Sequence, residues 1–208
     1  LIDWNNKINL TSIVEYEEVI WKHFLDSAFF VSCDKVDLKE KKKVLDLGTG
    51  AGFPGMVLAI LCPDYEFVLA DSLNKRIEFL KVVINRLQIH NVSVIHGRAE
   101  ELGRDENFRN QFDYVVSRAV AELPVLLEYC IPFVKKGGYF VSYKSRRLDE
   151  EIENAENALN MLYTKYEKKY KYELEYDHSE RYLVFFRCEN ITDSKYPRKP
   201  KKIKTNPL

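Results

Sequence analysis

The sequence is short of anything that would staple, anchor or repeat it. Its four cysteines, Cys33, Cys62, Cys130 and Cys188, form no CxxC pair and have no nearby histidine partner. That excludes the usual zinc spacings and a disulfide framework. They read as reduced, mostly buried thiols of a cytoplasmic protein, and no metal is expected. No apolar run approaches the length needed to span a membrane, and the first residues lack the basic-then-apolar pattern of an export signal. No internal repeat occurs. Net charge is missing too, since 32 basic and 32 acidic side chains cancel. The cancellation is uneven: Lys195, Arg198, Lys199, Lys201, Lys202 and Lys204 crowd the last fourteen positions, where no acid stands. Such a tail has the composition of a nucleic-acid arm, with a solvated end as the plainer alternative.

What is present suffices for one core. A chain of 208 residues, 46% hydrophobic, is expected to form a single globular domain with small appendages. It is organised around residues 44–55, VLDLGTGAGFPG. Val44, Leu45 and Leu47 suit a buried strand. Gly48, Gly50 and Gly52 suit a turn with positive φ and no side chain in a ligand's way. Pro54 suits the first position of a helix, which runs apolar from Met56 to Leu61.

Around this cradle the pattern alternates. Ser12 and Glu15 make a capping box for an amphipathic helix over about 13–32, with Ile13, Tyr16, Ile20, Phe24, Ser27 and Val31 on its apolar face. Strands are expected at 65–70, 92–95, 112–117 and 139–143, the last entered through a turn at Gly137-Gly138. Helices are expected after Asp71 or Ser72 as cap, over 123–134 with Pro124 in the first turn, and around Ile152 to Leu162. Strands over 170–176 and 182–186 would close the pattern as a hairpin. The fold class is therefore α/β: a Rossmann-like, doubly wound, mostly parallel sheet with a terminal antiparallel hairpin. Residues 1–40 would form an N-terminal helical extension packed on the sheet, 41–190 the main domain and 191–208 the basic tail.

In such folds the ligand lies beyond the carboxyl ends of the strands, at the point where strand order reverses. The residues delivered there are Asp46 with the glycine loop, Asp71, Ala99-Glu100 and Ser117-Arg118. The loop also fits a dinucleotide fingerprint, with Asp71 placed for a ribose hydroxyl. Asp46 favours S-adenosylmethionine. An acid two residues before the first glycine would repel a pyrophosphate but attract an ammonium and a sulfonium. Absences narrow the acceptor. No Asn/Asp-Pro-Pro-aromatic motif for exocyclic amines follows the fourth strand, and no Pro-Cys nucleophile for a pyrimidine carbon occurs. An acceptor that is already nucleophilic remains, such as a ring nitrogen with a free lone pair.

Several motifs then match one family. They are Asn6-Lys7-Ile8-Asn9-Leu10-Thr11, His23-Phe24-Leu25-Asp26-Ser27, residues 44–55, Asp71-Ser72-Leu73-Asn74-Lys75-Arg76, Arg98-Ala99-Glu100-Glu101, Ser117-Arg118-Ala119, Tyr196-Pro197-Arg198 and Asn206-Pro207-Leu208. In this order they resemble the bacterial small-subunit ribosomal RNA methyltransferase G family, also called glucose-inhibited division protein B. The resemblance implies a class I methyltransferase that uses S-adenosylmethionine to methylate N7 of a guanosine in the 530-loop region of 16S rRNA, acting as a monomer. It implies cofactor contacts at Gly48, Phe53, Ala99, Glu100 and Arg118, with Asp71 on the ribose. Together with the residue reading, the cofactor set is Asp46, Gly48, Gly50, Gly52, Phe53, Asp71, Ala99, Glu100 and Arg118. Arg118 is also the candidate catalytic group, able to donate to guanine O6. Candidate RNA contacts are Lys75, Arg76, Arg198, Lys199, Lys201 and Lys202. Plainer readings stand beside these: Asp46 as a brace for local amides, Arg118 as an ion-pair partner, His23 as a core residue. The rival functions are an NAD-dependent oxidoreductase and a non-catalytic RNA-binding assembly factor.

Overall fold

The computed structural model describes residues 1–118, 121–145 and 148–208. The chain opens with α1 (Ile2–Ile8) and then a helical run in four pieces: α2 (Tyr16–Val19), a π turn (Ile20–Leu25), α3 (Asp26–Ala28) and a 3-10 turn (Phe29–Ser32). This differs from the expected continuous helix. The run starts at Tyr16 and not near residue 13, where side chains have claimed the amides of Leu10, Thr11 and Ile13. Asn5 Oδ1 accepts from Leu10 and Thr11 N–H at 2.6 and 2.8 Å, and Thr11 Oγ1 accepts from Ile13 N–H at 3.0 Å. Ser12 makes no cap; Glu15 holds the N-cap position, without a side-chain bond. The face that goes inward carries Val19, Asp26, Ser27 and Phe30, while Tyr16 and Phe24 are exposed.

The sheet follows. β1 (Lys43–Leu47), α4 (Gly55–Leu61), β2 (Glu66–Asp71), α5 (Asn74–Leu87), β3 (Val92–His96) and α6 (Ala99–Leu102) come first. After them lie β4 (Phe112–Arg118), α7 (Leu123–Cys130), a 3-10 turn (Ile131–Phe133), β5 (Val134–Lys144), α8 (Leu148–Asn154), α9 (Glu156–Met161), β6 (Thr164–Leu174), β7 (Ser179–Cys188) and α10 (Pro200–Thr205). Among the described residues the sheet has the order β3-β2-β1-β4-β5-β7-β6, and β7 alone runs against its neighbours. Successive residues alternate between two cores. Leu45, Leu47, Val115, Phe140 and Phe186 face one side, and Val44, Tyr114, Val116, Val141 and Phe185 face the other. Both sides are covered by helices, as near-continuous apolar strands demand.

Several boundaries move. Pro54 is the N-cap of α4 rather than its first residue, and the Phe53–Pro54 peptide is cis. Leu73, not Asp71 or Ser72, precedes α5, although Asp71 Oδ1 accepts from Leu73 N–H at 2.9 Å. Gly137 and Gly138 do bend the chain, but inside β5: pairing with β4 jumps from Phe112↔Val134 to Tyr114↔Tyr139, and Gly137 sits at φ 85°. The tail departs most. It packs onto the body, with Tyr196 and Ile203 in the core beside α7.

Candidate active site

Strand order reverses between β1 and β4, and a cleft of about 1070 Å³ opens beyond their carboxyl ends. The loop after β1 forms one wall, and most of its amides are spent within the chain. Gly48 and Thr49 N–H both donate to Ala70 O (2.9 and 3.0 Å), Gly52 and Phe53 N–H to Thr49 O (2.9 and 3.1 Å), and Met56 N–H to Gly52 O (2.8 Å). Gly50 N–H donates to Asp71 Oδ2 (2.9 Å) and Gly55 N–H to Asp46 Oδ2 (2.8 Å). Two glycines are required here for different reasons. Gly50 has φ 60° and open space where a Cβ would stand, whereas a Cβ on Gly55 would lie 2.3 Å from Leu69 Cδ2 and 2.7 Å from Asp46 Oδ2.

Asp46 is 0% exposed and lies beneath the loop, outside the cleft wall. Its Oδ2 also accepts from Thr49 Oγ1 at 2.7 Å, while Oδ1 is buried with no partner among the described residues. Burial pushes its carboxyl up to about 6, against the hydrogen bonds from Thr49 and Gly55 and the charge of Arg118. Gly52 likewise lies under the loop and not on the cleft wall, a Cβ there meeting Leu80 and Met56. The plainer reading of Asp46 as a brace for amides is therefore the one its contacts carry. Asp71 does line the cleft; besides Gly50 and Leu73 it holds Arg76, with Nη1 3.1 Å from Oδ2.

Arg118 ends β4 and lines the cleft. Its Nη1 donates to Asp26 Oδ2 at 2.8 Å and to Lys22 O at 3.1 Å, and its Nη2 donates to His23 Nδ1 at 3.1 Å. His23 is then the Nε2–H tautomer, donating to Thr11 Oγ1 at 2.8 Å. Burial, helped by the Arg118 charge, pushes the imidazole down to about 4, so it is neutral at pH 7. The His23 ring stacks on Phe53 (centroids 4.7 Å, 18°), Phe24 meets Phe53 edge-on at 5.1 Å, and the Arg118 guanidinium sits 5.6 Å from the same ring. The π turn makes this convergence possible by bringing Lys22, His23, Asp26 and Ser27 together on one arginine. The ion-pair reading of Arg118 is thus realised. Among the described residues, Nε–H and one Nη2–H are left over to face a ligand.

Gly48, Gly50, Phe53, Ala99 and Glu100 all line the cleft as expected, but Ala119 falls outside the described residues. Of the expected RNA contacts, Arg76 is tied to Asp71, and Lys75, Lys199, Lys201 and Lys202 are exposed. Arg198 is tied to Glu128 by Nε at 2.8 Å and Nη2 at 2.6 Å, so its guanidinium already serves the fold. Sequence reasoning missed Asp26, Lys144, Glu151, Arg181 and Lys204, all on the cleft wall. Asp26 stands in a motif already singled out, and the lone acid in apolar α7, Glu128, is the available signal for a buried partner.

This arrangement decides between cofactors. A pyrophosphate needs several free amides at the loop and helix N-terminus, and here Asp46, Asp71 and backbone carbonyls take those of Gly48, Thr49, Gly50, Gly52, Phe53, Gly55 and Met56. The acids that do reach the cleft wall, Asp71 and Glu100, suit a ligand bearing positive charge and hydroxyls.

Comparison with known proteins agrees. The family model for rRNA small subunit methyltransferase G matches residues 1–178. The chain belongs to the rRNA small subunit methyltransferase G family. It is 52% identical to the rRNA small subunit methyltransferase G of Lachnoclostridium phytofermentans, over 95% of this chain and 81% of that one. With the enzyme of the same name from a Thermoanaerobacter species it shares 47% over 100% of this chain and 86% of the relative. Solved structures show the same fold at low identity. One is a SAM-dependent methyltransferase from Aquifex aeolicus (TM-score 0.61, 17% identity, 89% of this chain and 97% of that one). Another is the Methanococcus jannaschii fibrillarin pre-rRNA processing protein (TM-score 0.62, 19% identity, 82% and 76%). The span matched by the rRNA small subunit methyltransferase G family covers β1 to β6, including the cleft loop, and ends before α10.

Proposed function

We propose that this chain transfers the methyl group of S-adenosylmethionine to N7 of a guanosine in 16S rRNA, within the 530-loop region of the small ribosomal subunit. Membership of the family supports the reaction. The observation that carries the cofactor is that Asp46, Asp71 and backbone carbonyls take seven amides of residues 48–56, most of the donors a pyrophosphate would need. S-adenosylmethionine supplies, when bound, an electrophilic methyl group on a sulfonium. Backbone at Gly48 and Gly50 cradles it, Asp71 accepts from the ribose with its remaining lone pairs, Phe53 packs at the methionine end, and Ala99 and Glu100 close the far side. Asp46 acts from below by fixing the loop.

Guanine N7 carries its own lone pair, so no side chain has to remove a proton before attack. The residues act by orienting an in-line approach and excluding water, which in favourable cases lowers a barrier by roughly 7–11 kcal/mol. Arg118 directs its free N–H groups toward guanine O6. Lys75, Lys199, Lys201 and Lys202, all exposed, hold rRNA phosphates around the mouth. The enzyme works in the cytoplasm as a monomer, its N-terminal extension and tail walling one cleft.

Two measurements test this. Calorimetry should show binding of S-adenosylhomocysteine and none of NAD; the reverse would make the protein an oxidoreductase. Mass spectrometry of 16S rRNA from a strain lacking the gene should show one N7-methylguanosine lost, and full methylation would reduce the protein to a non-catalytic factor.

A further inference from the structure

A cationic methyl donor and an arginine in one cleft are at odds. Arg118 borders the cavity, and Arg181, from β7, lines it as well. Two guanidinium groups beside a sulfonium and an ammonium would weaken binding. The structure places one carboxylate between them. Asp26, 4% exposed, accepts from Arg118 Nη1 through Oδ2 at 2.8 Å, and its Oδ1 lies 3.8 Å from Arg181 Nε. Tyr172 Oη donates to that same Oδ1 at 2.7 Å and fixes its direction. Three other cations of the cleft are handled in the same way, Arg76 on Asp71 (3.1 Å), Lys144 on Glu151 (2.6 Å), and Lys22 on Glu18 (2.6 Å) and Asp177 (3.2 Å). Arg98 stands 3.9 Å from Glu100, and Lys204 lines the wall without an ion pair among the described residues.

We infer that Asp26 is a positioning residue whose role is electrostatic, offsetting Arg118 and Arg181 so that the cleft admits a positively charged sulfur. Arg118 can then point N–H donors at the acceptor base without repelling the donor. Asp26 comes from the N-terminal helical run, Arg118 from β4, and Tyr172 and Arg181 from the terminal hairpin. The offset therefore depends on three distant parts of the chain meeting at one carboxylate. This role rests on S-adenosylmethionine occupying the cleft, as proposed above.

The test uses two ligands that differ by one charge, S-adenosylmethionine with its sulfonium and S-adenosylhomocysteine with a neutral thioether. Calorimetry on the full chain gives the ratio of their affinities. Asp26→Asn should shift that ratio against S-adenosylmethionine by about three- to tenfold. Arg118→Gln should shift it the other way, and Tyr172→Phe, which keeps every charge, should leave it at the wild-type value. Equal weakening of both ligands in Asp26→Asn would mean a merely structural role and would overturn the inference. If Asp26→Asn does not fold, Arg118→Gln decides: a ratio that stays put or moves against S-adenosylmethionine overturns it. Failure of the wild type to bind either ligand would instead remove the proposed cofactor itself.

Discussion

Arg198 grips Glu128 through its Nε (2.8 Å to Oε1, 3.1 Å to Oε2), its Nη2 (2.6 Å to Oε2) and its own backbone amide (2.8 Å to Oε1). Glu128 is 0% exposed in an otherwise apolar helix, so this is a buried pair with its acceptor lone pairs well supplied. Removing one partner strands a charge in the core. Arg198→Ala is expected to lower unfolding stability by about 3–5 kcal/mol in urea titrations. A change under about 1 kcal/mol would show that the tail contributes little to the fold.

Because the tail is packed, its role toward rRNA cannot be tested by deleting it. Arg109 also holds Thr192, Asp193 and Tyr196 carbonyls, at 2.8, 3.0 and 2.7 Å, and Arg104 holds that of Pro197 at 2.7 Å. Charge reversal of Lys201 and Lys202, both exposed on α10, leaves those bonds alone. Binding to the small subunit should weaken, and the slope of log affinity against log salt should fall by about one for each phosphate no longer neutralised. An unchanged slope would take these lysines out of the interface.

Gly55 sits where the chain has no room for one carbon. Gly55→Ala would press Asp46 and Leu69, and is expected to cost about 1–3 kcal/mol of stability. S-adenosylhomocysteine affinity should fall with it, because the Asp46 carboxylate that fixes the loop is displaced. Thermal melts and calorimetry on the same variant check both, and unaltered affinity would show that the loop does not depend on this brace.

His23 and Asp46 give opposite slopes to stability against pH. The folded imidazole is held down at about 4, below its usual 6.5, so its contribution is complete above 6.5 and is lost as pH falls toward 4, where the unfolded chain has already taken the proton. The Asp46 carboxyl is held up at about 6, above its usual 3.8; protonation favours the folded state, and that contribution is lost as pH rises from about 4 to 6. His23→Gln should therefore reduce acid sensitivity between pH 6.5 and 4, and Asp46→Asn should reduce the opposing trend. Urea titrations at closely spaced pH values would show each, and parallel curves for wild type and variant would refute the assignment.

The sheet, its hairpin and the glycine loop are readable because each is written locally. Apolar strands end at polar rim residues, and the glycines at 48, 50 and 52 mark a turn with positive φ that other residues rarely adopt. The N-terminal run is not, because its periodicity is broken by bonds between separate segments. Asn5 and Thr11 side chains take the amides of Leu10, Thr11 and Ile13, and the π turn rotates the face that follows. Asp26 cannot be recognised as a partner of Arg118 from sequence, since nothing local relates residues 92 positions apart. The tail misleads in another way. Its lysines announce charge, whereas Tyr196, Ile203 and the Glu128 pairing, which set its path, only make sense once α7 is in place.

The cleft takes its walls from Leu10 at one extreme to Pro207 at the other, with contributions from β1, β2, β4, β5, β7 and several helices between. A ligand held there bridges the N-terminal segment, the sheet rim and α10. Ligand-induced protection from heat or protease thus reports on completed folding of the entire chain, and a saturating small ligand would raise the threshold for global rather than local opening.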